Sequence, residues 1–306
     1  MTPFERFEAA RAALAVGPVL PRALLQAGGP DAADFLHRML TQEVRALAVG
    51  GAAHFALLTV KGHLVGVGQL LRQADGVLLD VDPAAAAALR AELEKKVIMD
   101  DVTFTDLTEG WRVLPLLGPG AAAAAVAVGG DLSRWVNGRR GVPGVDLLVP
   151  TERVESVRGG LLAAGAVALD EADLEALRIA GGVGRWGAEL DGTRLPMEAG
   201  LVADAVSFTK GCYLGQEVVV RASVRGQVNR GLVLLRLPAG AGPGTRLTAA
   251  GAEVGAITSA AETPQGRLGL GYLKRACWAT GTRLATDGGG EAEVLRAVAG
   301  EQERPG

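Results

Sequence analysis

Over residues 217–237 and again over 245–295 the chain carries no good helical period. Short apolar runs such as GLVLLRL (231–237) and RLGLGYL (267–273) are separated by Gly, Pro and Asp. An amphipathic helix needs apolar residues recurring every three to four positions, whereas strands need only short runs bounded by turn formers. A string of such strands can hide its edges by closing on itself, so this part reads as a small antiparallel barrel or sandwich. It sets a boundary near residue 230, with a region over 1–230 and a carboxy-terminal barrel domain over 231–306.

Upstream, strands and helices are mixed. DAADFLHRML (31–40) puts Phe35, Leu36, Met39 and Leu40 on one helical face, with Asp31 as N-cap. HFALLTVKGHLVGVGQLLR (54–72) reads as two strands around a Lys61-Gly62 turn, and another strand follows over 76–81. Pro83 opens a helix to about Lys96, because proline suits a first helical turn. Further strands are expected over 102–106, 111–117 and 145–149, and helices over 121–128, 151–164 and 171–180. This order predicts an α+β sheet with helices to one side. Residues 217–237 read as strand.

Composition excludes several classes of function. Hydrophobic residues are 49% and charged residues 21% of the 306, an ordinary globular mixture. A net charge of −3 gives no general attraction to nucleic acid or to an anionic membrane. The amino terminus lacks the apolar core of a signal peptide and the alanine-rich stretch 120–130 is too short to span a bilayer, so a cytoplasmic location is expected. Two cysteines and three histidines (His37, His54, His63) suggest neither a disulfide framework nor a metal site. The histidines read as surface or loop residues, and Cys277 beside Trp278 as packing.

The densest chemistry lies in FTKGCYLGQEVVVRAS (208–223). A thiol attacks as thiolate, and Lys210 two residues from Cys212 would favour that form. The flanking glycines would let a ligand approach the backbone. Equally, Cys212 could be packed and inert in a turn. On an unbroken strand Glu217, Arg221 and Arg225 share one face, with Val218, Val220 and Val224 opposite. Arginines so placed suit a carboxylate or phosphate, although a solvated strand face reads the same way. Glu198, in the loop before the motif, could bond a nitrogen-rich heterocycle, cap a helix or pair with Arg194.

FTKGCYLGQEVVVRA closely resembles the signature of the YgfZ folate-binding proteins, a branch of the aminomethyltransferase T-protein superfamily. The segments 35–64 (FLHRMLTQEVRALAVGGAAHFALLTVKGHL), 176–201 (ALRIAGGVGRWGAELDGTRLPMEAGL) and 254–275 (VGAITSAAETPQGRLGLGYLKR) resemble other parts of the same family. The resemblance implies a three-lobed GcvT-like ring, with two mixed α+β lobes and a C-terminal antiparallel β-barrel around a channel holding tetrahydrofolate. It implies an accessory protein for iron–sulfur cluster assembly or repair, acting on client or assembly proteins and through them on tRNA modification, without direct nucleic-acid or membrane contact. By the same resemblance Cys212 is a functional thiol supported by Lys210. Tyr213, Gly215, Gln216, Glu217, Arg221, Arg225 and Glu198 are then the expected folate contacts.

Two departures bear on the chemistry. T-proteins use an Asp at the start of the helix after an L-x-V strand, and the alignment puts that role within 83–88, where only proline and alanine stand. A methyl group cannot carry an acid–base step. The pterin-pairing Glu of an R-[IL]-E-A-G element is replaced by Ala180. A folate-dependent aminomethyltransferase-type one-carbon enzyme is therefore the alternative reading, and the accessory protein the leading one.

Overall fold

A computed structural model describes residues 1–225 and 228–300. Helix α1 (Pro3–Ala12) starts on a capping box in which Thr2 and Glu5 satisfy each other's backbone N–H. Strand β1 (Ala15–Val16) follows, then β2 (Ala23–Gly28), α2 (Ala32–Met39), β3 (Ala52–Leu58), β4 (Leu64–Gln73), β5 (Gly76–Val81), α3 (Pro83–Glu94) and β6 (Thr103–Asp106). Next come β7 (Trp111–Leu117), α4 (Ala121–Val128), β8 (Arg134–Val136), β9 (Gly144–Pro150), α5 (Val154–Ala163) and β10 (Val167–Ala168). Helices α6 (Glu171–Ala180), α7 (Val202–Ala205) and α8 (Gln216–Arg225) lead to strands β11 (Arg230–Arg236), β12 (Arg246–Ala249), β13 (Ala252–Thr263), β14 (Gly266–Lys274), β15 (Arg283–Thr286) and β16 (Glu291–Ala297).

These strands make three units. One sheet has the order β3-β4-β5-β2-β6 and a second β10-β1-β7-β9-β8. Strands β11-β14-β13-β12-β15-β16 form a closed antiparallel barrel, so the open choice between barrel and sandwich resolves to a barrel. Strand β1 joins the second sheet by pairing with β7 and β10, which sews the amino terminus to residues a hundred or more positions away. Phe35, Leu36, Phe55 and Leu79 pack α2 and α3 on the first sheet, and Leu114, Leu147 and Leu161 pack α4 and α5 on the second. No helix among the described residues is long and apolar enough to cross a membrane.

Most expected elements appear, and two local expectations are corrected. Asp31 occupies the N-cap of α2 but makes no side-chain cap; its Oδ2 accepts instead from Asp101 N at 2.8 Å. The stretch after Gln216 is helix α8, not strand. Glu217, Arg221 and Arg225 are spaced at i, i+4 and i+8, so they share a face in either structure and the pattern could not discriminate. Packing decides it: Val219 is fully buried and Ala222 partly so, in a core with Tyr213, Leu58 and Leu64, while Val220 is exposed. That burial overrides the weak helix propensity of the valines. The contact is close, since a Cβ on Gly62 (φ 78°) would lie 2.9 Å from Val218, and so the β3–β4 turn sits directly on α8.

Candidate functional site: a cavity where both sheets meet the barrel

Strand β5 is buried on both faces, and its alternation sends Val77, Leu79 and Val81 into the core under α2 and α3. Asp80 therefore points the other way. Its neighbour in register on β4 is Gln69, and the neighbour of Gln69 on β3 is His54. Three polar residues thus form a row across three adjacent strands. The row faces the second sheet, where Trp135 Nε1 donates to Gln69 Oε1 at 2.5 Å and Gln69 Nε2 donates to the Val136 carbonyl at 3.1 Å.

Beside this row lies a cavity of ≈ 220 Å³. His54, Gln69, Asp80 and Asp82 come from the first sheet, Asn137, Arg139 and Arg140 from the segment after β8, and Arg178, Arg185 and Trp186 from α6 and the loop after it. The barrel closes the far side indirectly. Arg178 donates to Ser259 Oγ at 3.0 Å and to Glu189 Oε2 at 2.9 Å, and Glu189 in turn accepts from Thr258 and Ser259 of β13.

The electrostatics are those of a polar chamber with excess positive charge. Arg22 Nε donates to Asp80 Oδ1 at 2.5 Å, yet burial, aided by nearby Asp146, holds the Asp80 carboxyl above its ordinary value. Asp146 Oδ2 accepts from Asn137 at 2.6 Å and from Arg140 at 2.7 Å. Asp146 Oδ1 and Arg140 Nε are buried without a hydrogen-bond partner among the described residues. Such groups cost free energy unless something else satisfies them.

His54 is a second buried cost. Burial, with the charges of Arg139 and Arg140, pulls its pKa down to about 3 from 6.5, so the ring is neutral. The unfolded chain takes up a proton here as pH falls below 6.5 while the folded chain refuses it down to about 3. Stability therefore falls with acid across that window, and the His54 share amounts to about 2 kcal/mol between pH 8 and pH 5. Urea unfolding at the two pH values is expected to show His54→Gln losing less stability than wild type by that amount. An identical pH slope in both proteins would rule this out.

The motif at 208–223 lies elsewhere. Lys210 is buried, and its ammonium donates to the His37, Leu40 and Gln42 carbonyls at the end of α2, the last two at 2.7 and 2.8 Å. Burial pulls its pKa down to about 8. With three donors engaged by three carbonyls, Lys210 holds the helix end and is not available to promote a Cys212 thiolate. Tyr213 is buried in the core beneath α8, its ring 5.3 Å from Lys210 Nζ, its hydroxyl without a partner among the described residues, and its pKa pushed up to about 12 by burial.

Gly215 (φ 82°) allows a close approach, because a Cβ there would lie 2.7 Å from the Thr59 carbonyl. Gln216 begins α8, and Glu217 and Arg221 are exposed on it. The side chain of Arg225 falls outside the described residues. Glu198 is buried but turned from the cavity: Oε2 accepts from Leu195 N at 3.2 Å and Oε1 from Arg230 Nε at 3.4 Å. None of these residues lines the cavity. Cys212 is exposed in the loop before α8, and Cys277 is buried in the barrel core.

Sequence reasoning therefore found the motif and missed the chamber. His54 lines the cavity and His37 is buried, so neither is the simple surface residue expected of it. The usable signal was a polar residue at a core-side position of an apolar strand, Gln69 in β4 and Asp80 in β5. Ala180 and 83–88 indeed bring no carboxylate, but Asp80 and Asp82 supply two to the cavity from just upstream of α3.

Two α+β sheets flanking a polar cavity, together with a closed barrel, define a ring protein of the aminomethyltransferase T type. The crystal structure of the glycine cleavage system aminomethyltransferase T from Bartonella henselae superposes with a TM-score of 0.83 at 22% identity, covering 99% of this chain and 90% of that one. No family profile matches the chain. It is 34% identical over 280 residues to the mitochondrial iron–sulfur cluster assembly factor IBA57 of Homo sapiens, covering 82% of this chain and 75% of that protein. It is 29% identical to the tRNA-modifying protein YgfZ of Edwardsiella ictaluri, covering 69% of this chain and 68% of that protein. A chloroplastic relative from Arabidopsis thaliana, described as a transferase, is 28% identical over 82% of this chain, which spans 63% of its length. The chain belongs to the YgfZ and IBA57 family of T-protein-like folate-binding proteins.

Proposed function

We propose that this chain binds a reduced folate in the cavity between the two sheets and the barrel, and serves iron–sulfur cluster assembly or repair. The observation that carries the folate half is the composition of the cavity wall. A pterin is flat and carries donors and acceptors along one edge. Trp186 offers an aromatic surface, while Gln69, Asn137, neutral His54 and the Asp80 carboxyl offer donors and acceptors. The unsatisfied Asp146 Oδ1 and Arg140 Nε lie in the same hydrogen-bonded cluster. The iron–sulfur half draws on the relatives, one named a cluster assembly factor and another a tRNA-modifying protein.

A cluster would be cargo. Among the described residues no group of three or more His, Cys, Asp or Glu is placed to hold a metal ion. Exposed Cys212 supplies one thiolate, which a client or assembly protein would have to complement. Calorimetry with tetrahydrofolate is expected to give saturable heat with wild type and at least tenfold weaker binding with Trp186→Ala. No heat and no thermal shift with wild type would sink the folate reading. For the thiol, cells dependent on Cys212→Ser are expected to lose cluster-enzyme activity at unchanged protein level; full activity would remove Cys212 from the mechanism.

The one-carbon transferase reading gains from Asp80 in the cavity wall, since burial holds its carboxyl above the ordinary value and a buried carboxyl can serve as a proton donor or acceptor. Release of ammonia from aminomethyl donors, with their carbon appearing on tetrahydrofolate as the methylene derivative, would favour it over the accessory role.

A further inference from the structure

Lone apolar side chains on a surface are ordinary, whereas a group of them rimmed by charge marks an interaction site. Ile98 and Met99, after α3, are 85% and 93% exposed, the two highest values for large hydrophobic side chains among the described residues. Their backbone is held on both sides. Val97 packs on the core of the first sheet, Asp100 pairs with Arg38, and Asp101 N donates to Asp31 Oδ2 at 2.8 Å. The chain thus holds two apolar side chains out in water on a fixed backbone.

This loop lies beside the one that carries exposed Cys212. The Arg38 carbonyl accepts from Leu214 N at 3.2 Å while the Arg38 guanidinium reaches Asp100, so one residue joins the two loops. The β3–β4 turn touches the Cys212 loop as well, since a Cβ on Gly215 would lie 2.7 Å from the Thr59 carbonyl. That turn exposes Val60, and α8, which continues from the Cys212 loop, exposes Val220. Segments that meet at the Cys212 loop thus supply Val60, Ile98, Met99 and Val220 as exposed apolar side chains. Asp100 is engaged by Arg38, and the exposed charges of these segments are Lys61, Lys95, Lys96 and Arg221 against Glu217. Lys95 pairs with Glu92 of α3. The excess is positive, in a chain whose net charge is −3.

We infer that Val60, Ile98, Met99 and Val220 make a docking surface around Cys212 for a different protein, one with an apolar cleft and an acidic rim. The inference deepens the iron–sulfur reading, on which the role of the docked client or assembly protein rests. Ile98 and Met99 stand out from the loop, so the partner supplies the concave side, and a flexible methionine adapts to clefts of differing shape. The lysines and Arg221 steer an acidic rim onto the surface. Two copies of this chain would set these like charges against each other across a two-fold axis, which disfavours self-pairing. A lipid surface would match the charge and the apolar pair but makes no use of the thiol among them.

The test uses the full chain in cells and in solution. The double variant Ile98→Asp with Met99→Asp is expected to lower cluster-enzyme activity in dependent cells about tenfold or more, at unchanged protein level and unfolding midpoint. Val126→Asp, on the exposed side of α4, is expected to leave that activity unchanged. In the same cells, p-benzoylphenylalanine in place of Val60 or of Met99 is expected to cross-link one and the same protein, and in place of Val126 not to. That protein, purified without a cluster, is expected to bind wild type and Cys212→Ser alike and the double variant about tenfold or more weakly, with affinity falling as salt rises. Full activity or equal binding in the double variant, no cross-link, or different proteins at the two positions overturns the inference. A cross-link to a second copy of this chain, or binding to phosphatidylserine vesicles that the double variant loses, overturns the choice of partner. If cells dependent on Cys212→Ser keep full cluster-enzyme activity, the iron–sulfur reading fails, and the cross-linking and binding decide the surface on their own.

Discussion

Replacing Glu189 with Ala is expected to lower the unfolding free energy by about 3–5 kcal/mol, among the largest effects a single substitution can have in this chain. The side chain is fully buried, and its two oxygens serve four donors. Oε2 accepts from Arg178 at 2.9 Å and from Arg185 N at 3.0 Å, and Oε1 from Thr258 at 2.7 Å and Ser259 at 2.6 Å. Its carbonyl also accepts from the Tyr272 hydroxyl at 2.9 Å. Truncation strands part of the buried Arg178 fork and the Ser259 hydroxyl, although Glu175 remains against Arg178 and Thr258 keeps the Leu270 carbonyl at 3.0 Å. Urea unfolding measures the loss, and Glu189→Gln, which keeps two polar atoms in place, is expected to fall in between. Because Arg178 also lines the cavity, ligand affinity should weaken in both variants. A loss below about 1 kcal/mol in Glu189→Ala would mean that the barrel is not held to α6 through this carboxylate.

Much of the architecture was legible because it rests on local pattern. The Lys61-Gly62 turn, Pro83 at a helix start and the turn-punctuated strands after residue 230 each carry their own signal. The helix α8 was misread because its charges repeat every four residues, a multiple of both the strand and the helix neighbour spacing, and only the burial of Val219 breaks the tie. The cavity was not legible because its wall is assembled from chain segments around 20, 54–82, 137–140 and 178–190. No short motif spans them. What joins them is register, such as Gln69 opposite both His54 and Asp80, and pairing between sheets, such as Trp135 on Gln69. The signature motif drew attention for its chemistry, yet most of its residues are fixed by packing.

That distinction is testable at Lys210. Lys210→Met is expected to cost about 3–4 kcal/mol in urea unfolding, and Cys212→Ser less than about 0.5 kcal/mol. The lysine ammonium satisfies three carbonyls in and just beyond the last turn of α2, where a helix has no intrahelical donors to offer. Its positive charge also lies at the favourable end of the helix dipole. Methionine fills similar volume but donates nothing, so each carbonyl is left buried or must admit water. His37 and Leu40 lie 173 and 170 residues from Lys210 in sequence, so the contact anchors the motif loop to the first sheet's helix over most of the chain. Cys212, exposed on that anchored loop, has no comparable packing to lose. If both substitutions abolish cellular function, only the stability measurement separates their causes: Lys210→Met by loosening the platform, Cys212→Ser by removing the thiol from an intact one. Equal stability of Lys210→Met and wild type would return the lysine to a chemical role.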